Sequence, residues 1–93
     1  MGTIRGDLPG ADLVGSGLAD LAHGRETAAA LLVLTGAPRL RRLSVPVPDS
    51  PIRQAEHRLY ALLAATEPDG AHSRYNALIR RLVSFERAAA CAA

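Results

Sequence analysis

The residues best placed to do chemistry gather on the last segment of the chain, GAHSRYNALIRRLVSFERAAACAA, residues 70–93. At about 100° per residue, Tyr75, Leu78, Ile79, Leu82, Val83, Phe85 and Ala89 fill one continuous arc of a helix, the pattern of a core-facing side. Glu86 falls inside that arc. His72, Asn76, Arg80 and Arg87 line one border, and Arg74 and Arg81 lie toward the opposite side. A carboxylate on a burying face needs a cation, a donor or an opening to solvent, because leaving it there ionised and alone is prohibitively costly. Arg58, Arg53, Arg41 and Arg42 are candidates to answer it, from another helix or another subunit. The candidate partner-binding set is therefore Glu86, His72, Asn76, Arg80 and Arg87. Glu86→Ala is expected to weaken assembly or folding by more than a surface charge deletion does.

Catalysis from the same segment would need a pocket of Glu86, His72, Asn76, Arg80 and Tyr75, with the carboxylate as acid or base against apolar walls. Structural ion pairs use the same residue types, and no second catalytic pattern accompanies them. Ser, Thr and His are scattered without an elbow or a glycine-framed nucleophile. The GSG at residues 15–17 lacks the glycine spacing and the Lys of a phosphate loop. His23, His57 and His72 can be grouped with Asp20, Glu26, Glu56 and Cys91 as metal ligands only loosely, since the chain has no HExxH and no Cys pair. No catalytic residue, metal ligand or cofactor is assigned, and the reading leans away from an enzyme.

Nucleic-acid binding is the alternative. Arg39, Arg41 and Arg42 cluster after a helix break, and Arg80, Arg81 and Arg87 recur on the last helix. The stretch TAAALLVLTGAPRLRRLSV resembles a helix-turn-helix outline, with an apolar helix, a Gly turn and a basic second helix. It departs from that outline in Pro38 and in the shortness of the second helix. The chain's three aromatic residues leave little for base stacking. All eleven basic residues are Arg and eighteen positions are Ala, which fits a GC-rich coding bias better than selection for guanidinium chemistry.

The elements that must position these side chains read as helices. After an irregular lead-in over residues 1–10, a first helix is expected from about Ala11 to His23, stopped by Gly24. Its apolar side holds Leu13, Val14, Leu18 and Leu21, with Gly17 in the same arc marking a tight helix crossing. Thr27 caps a helix whose residues Ala28 to Leu34 are apolar all round, so it should be central. Gly36 and Pro38 interrupt it and open a short basic helix, PRLRRLS. VPVPDSP, residues 45–51, is a stiff extended connector. Ser50 and Pro51 then start a helix with the stripe Ile52, Ala55, Leu59, Leu62, Leu63 and Thr66. Pro68, Asp69 and Gly70 end it, and so short a link makes the last two helices an antiparallel hairpin. The expected fold is all-α, a small bundle of four main helices plus a short basic helix in one domain, residues 1–93.

Ninety-three residues suffice for one core with little stability in reserve. The net charge of +2 does not announce a nucleic-acid binder, but its distribution is uneven. Residues 1–36 carry two Arg against four acids, and residues 37–93 nine Arg against five acids, so the halves should attract each other. A single cysteine, Cys91, excludes an internal disulfide framework. No stretch approaches a membrane span, and MGTIRGDLPG has no apolar signal-peptide core, so the expected location is cytoplasmic. The functional expectation is a small cytoplasmic interaction or adaptor module that self-associates, with a homo-oligomer or another protein as partner. A nucleic-acid-binding regulator using Arg39, Arg41, Arg42, Arg80 and Arg81 is the alternative.

Overall fold

A computed structural model describes residues 7–92. The described residues are mostly helical and contain no strand. The helices are α1 (Ala11–Ala22), α2 (Ala28–Thr35), α3 (Ala37–Arg42), α4 (Ala55–Thr66) and α5 (Ala71–Ala92). Residues 1–6 of the expected lead-in lie outside the described residues. Residues 7–10 form a turn whose Leu8 packs on the core. It ends at Gly10, with φ 78°, where a Cβ would stand 2.8 Å from the Arg81 carbonyl oxygen. Only glycine fits both the left-handed backbone and that space.

The apolar α2 packs against every other helix. Thr27 caps it: the Thr27 Oγ1 accepts from the Ala30 N–H at 3.2 Å and donates to Asp20 Oδ2 at 2.6 Å, tying the cap to α1. Ala30, Leu31, Leu32 and Val33 of α2 are fully buried among Val14 of α1, Leu40 of α3, Leu59 of α4 and Phe85 of α5. Gly17 is the close approach of α1 to α2. A Cβ there would overlap the Ala29 carbonyl oxygen and lie 2.5 Å from Val33 Cγ2. The two halves of the sequence are joined by charge. Arg58 forks onto Glu26, with Nε to Oε2 at 2.8 Å and Nη2 to Oε1 at 2.7 Å. Arg81 Nη2 donates to both oxygens of Asp12, at 3.0 and 3.1 Å.

The middle of the chain differs from its sequence reading in two places. Residues 45–51 are extended, but they are also part of the core. Val45 and Val47 are buried while Pro46 and Pro48 face out, the period-two alternation of an extended segment. Arg41 holds this segment down, its Nε on the Val47 carbonyl at 3.2 Å and its Nη2 on the Pro48 carbonyl at 3.2 Å. The second difference is the start of α4, which is Ala55 rather than Pro51. The Ser50 hydroxyl accepts from the Ile52 N–H at 3.2 Å, closing a local turn instead of capping a helix. Gln54 then takes φ 54° before the helix begins. Of the expected α4 stripe, Leu59 and Leu63 are buried, whereas Leu62 is exposed.

Candidate partner-binding groove along the last helix

A 22-residue helix spans about 33 Å. Along α5, therefore, His72 and Glu86 are separated by fourteen residues and about 21 Å. The five residues of the candidate set do not form one compact pocket. His72 sits at the start of α5, its Nε2 3.2 Å from Asn76 Nδ2 and its ring edge-on to Tyr60 of α4, centroids 6.5 Å apart. Tyr60 also tilts against Tyr75, at 5.6 Å. A catalytic pocket combining Glu86 with His72 is incompatible with this separation.

Glu86 is buried, 8 % exposed, on the face that carries Leu82 and Phe85. What brings it against the body of the protein is Gly36, the residue between α2 and α3. A Cβ at Gly36 would meet Leu82 Cδ2 at 2.8 Å and Glu86 Oε2 at 3.1 Å, so the absent side chain is the space the carboxylate fills. Three residues on, Arg39 stands on the same side of that turn, and its Nη1 lies 3.6 Å from Glu86 Oε1. Arg39 is thus the cation that answers Glu86. The four arginines expected for that role are elsewhere: Arg58 is forked onto Glu26, Arg41 holds the connector and reaches Asp49 at 3.6 Å, and Arg42 and Arg53 make no ion pair. The reason lies in α3, which starts at Ala37, immediately after the close contact at Gly36, and so delivers its first arginine to the carboxylate.

The pair is lopsided. The Glu86 side chain is 9 % exposed and that of Arg39 is 72 % exposed. At 3.6 Å the contact is too long for a hydrogen bond, and Glu86 makes no other polar contact. No fully enclosed side-chain oxygen or nitrogen among the described residues lacks a hydrogen bond, so the carboxylate keeps an opening to solvent. That opening is a groove between α3 and α5. Its first part, about 420 Å³, runs from Glu56, Tyr75 and Asn76 past Ile79 to Val83 and Glu86. A second part, about 350 Å³, continues past Val83 and Glu86 to Leu43, Arg42, Arg87 and Ala90. Arg39, Val83 and Glu86 line both.

The groove has polarity. Glu56 is at one end, exposed and without an ion pair, and Arg42 and Arg87 are at the other, in the same condition. Arg80, on the outer border of α5, also has neither hydrogen bond nor ion pair. Of the arginines put forward for nucleic acid, Arg41 and Arg81 are committed to contacts within the chain, and Arg39 is turned toward Glu86. His23, His57, His72 and Cys91 are not assembled: among the described residues no three His, Cys, Asp or Glu stand close enough to hold a metal ion. No described helix is long and apolar enough to cross a membrane. The groove, with its half-buried Tyr75, Ile79 and Val83 around one carboxylate, was visible in sequence only as the apolar arc. Gly36 and Arg39, which complete it, come from another element. No family model, no curated protein and no solved structure matches the chain.

Proposed function

We propose that the chain is a small cytoplasmic protein-interaction module that self-associates through the α5 groove and carries no catalytic activity. The observation that supports it is the state of Glu86. A buried carboxylate with one long, solvent-facing contact is under-compensated in a single copy, and a partner supplying a further cation and excluding water relieves it. Half-buried apolar residues beside it give the partner something to cover, while unpaired charges at the rim set orientation. The hairpin of α4 and α5 belongs to the same reading: a four-residue link, Glu67 to Gly70, and the Tyr60 rings against His72 and Tyr75 suit antiparallel neighbours that hold the groove's floor rigid. The single cysteine suits a reducing compartment.

A nucleic-acid-binding regulator is the second reading, favoured by the unpaired Arg42, Arg80 and Arg87. Light scattering on the purified chain, with and without duplex or single-stranded nucleic acid, tests both. A concentration-dependent dimer indifferent to nucleic acid is the expected result. A monomer that forms a salt-sensitive complex with nucleic acid would replace the first reading with the second.

A further inference from the structure

Both tyrosines of the chain stand side by side. Tyr60 of α4 and Tyr75 of α5 have ring centroids 5.6 Å apart and planes tilted by 59°, and the His72 ring meets Tyr60 at 62° with centroids 6.5 Å apart. Hairpin packing accounts for these ring contacts. It does not account for the carboxylate beside them. Glu56 precedes Tyr60 by four residues, so the two share a face of α4 with Cβ atoms about 5–6 Å apart, and Glu56 lines the same recess as Tyr75 and Asn76. Each side of the triangle Glu56, Tyr60, Tyr75 is thus closed by a separate observation. Glu56 lies in the first turn of α4, where the helix dipole favours negative charge, yet among the described residues no cation pairs with it. Arg80, one turn past Asn76 on α5, is free and makes no ion pair with it. Arg39 lines the same recess but is turned toward Glu86, which is eleven residues and about 16 Å along α5 from Tyr75.

We infer that this end of the groove is a binding site for an organic cation of the alkylammonium class, held by the Tyr60 and Tyr75 rings and by Glu56. An ammonium carrying methyl groups is attracted to an aromatic face within about 6 Å of the ring centroid, and a carboxylate beside the rings supplies the counter-charge. Two rings tilted at 59° form a wedge that meets a rounded group from two sides, whereas a planar guanidinium stacks on one ring alone. Tyr60 is 39 % exposed, so its ring is open to a ligand. Asn76 donates its amide N–H to His72 Nε2 at 3.2 Å, which leaves its carbonyl oxygen to accept from a hydroxyl on the ligand. All of these residues come from one copy, at the end of the groove away from Glu86. The site therefore goes beyond the self-association reading and does not depend on it.

The chain has no Trp and both of its Tyr are in the site, so tyrosine fluorescence reads occupancy directly. At constant ionic strength, choline is expected to change that fluorescence saturably, with a midpoint of about 1–10 mM from two ring contacts and one exposed carboxylate. The neutral analogue of choline in which carbon replaces nitrogen is expected to bind about tenfold more weakly, and methylguanidinium likewise. Glu56→Gln, at an exposed residue with no ion pair to lose, is expected to weaken choline about fivefold. Tyr60→Leu is expected to weaken it about tenfold and Tyr60→Phe to preserve it, Tyr75 remaining as the reporter in both. No saturable response to choline overturns the site. Equal binding of the neutral analogue reduces it to an apolar recess, equal binding of methylguanidinium refutes the alkylammonium class, and an unchanged midpoint in Glu56→Gln refutes the role of the carboxylate. If Tyr60→Leu does not fold, Glu56→Gln and the two analogues decide. The mass of the chain, which tests self-association, is read separately from all of these.

Discussion

Gly17→Ala tests the packing that holds α2, and through it the groove, in place. Taken as a change within an exposed helix, the substitution stabilises, because Ala is favoured over Gly by about 1 kcal/mol. The neighbours reverse the sign. The new methyl would overlap the Ala29 carbonyl oxygen and lie 2.8 Å from its carbon and 2.5 Å from Val33 Cγ2. Two of these atoms are helix backbone, so no flexible side chain can swing away, and α1 and α2 must separate. Overpacking costs about 1–3 kcal/mol, and backbone displacement puts this case at the upper end. The net expectation is a loss of about 2 kcal/mol, or roughly 10 °C in melting temperature for a domain of this size. Gly15→Ala is the internal control. It lies in the same helix two residues away with nothing within 4 Å of its would-be Cβ, and is expected to gain up to about 1 kcal/mol. Urea unfolding of both variants followed by far-UV circular dichroism gives the comparison. A Gly17→Ala chain as stable as Gly15→Ala would refute the close crossing of α1 and α2.

Three further outcomes follow from individual side chains. Thr27→Ala removes both the cap on Ala30 and the bond to Asp20 and is expected to cost about 1–2 kcal/mol in urea unfolding, whereas Thr27→Ser retains most of it; equal losses would contradict the capping role. The Arg81 guanidinium, mainly through its hydrogen bond, holds the Asp12 carboxyl below its ordinary 3.8. The folded state therefore binds fewer protons, so the contribution is complete above the unfolded value and disappears as pH falls through the lower folded one. The stability difference between wild type and Asp12→Asn should shrink on acidification below about pH 4, and a difference constant through the acid range would contradict it. Glu86→Gln keeps the shape of the groove but removes its charge. It is expected to weaken the dimer while leaving the unfolding midpoint of the dilute monomer no lower, because the 3.6 Å contact returns little for burying the charge; a lower midpoint with unchanged mass would reverse that assignment.

What the sequence made legible was whatever depends on one element's own period. The α5 arc, the buried position of Glu86 within it, the cap at Thr27, the close crossing at Gly17 and the attraction between the two halves all follow from spacing, propensity or charge. The partner of Glu86 was not legible, since a helical wheel does not say which neighbour comes close. That was decided by Gly36, whose missing side chain admits the carboxylate and brings Arg39 with it. The connector was half legible. Its prolines gave its extension, but the alternation of Val45 and Val47 with Pro46 and Pro48 was also a burial signal, because side chains of an extended chain point alternately inward and outward. Ser50 misled because a hydroxyl can satisfy its own local N–H as readily as it starts a helix.

The central claim is that this groove is completed by another copy of the chain. Its most direct test is the solution mass of the wild-type protein by light scattering across a dilution series at fixed salt. The account predicts a mass moving from twice the chain mass toward the monomer on dilution. A monomer at every concentration would contradict it.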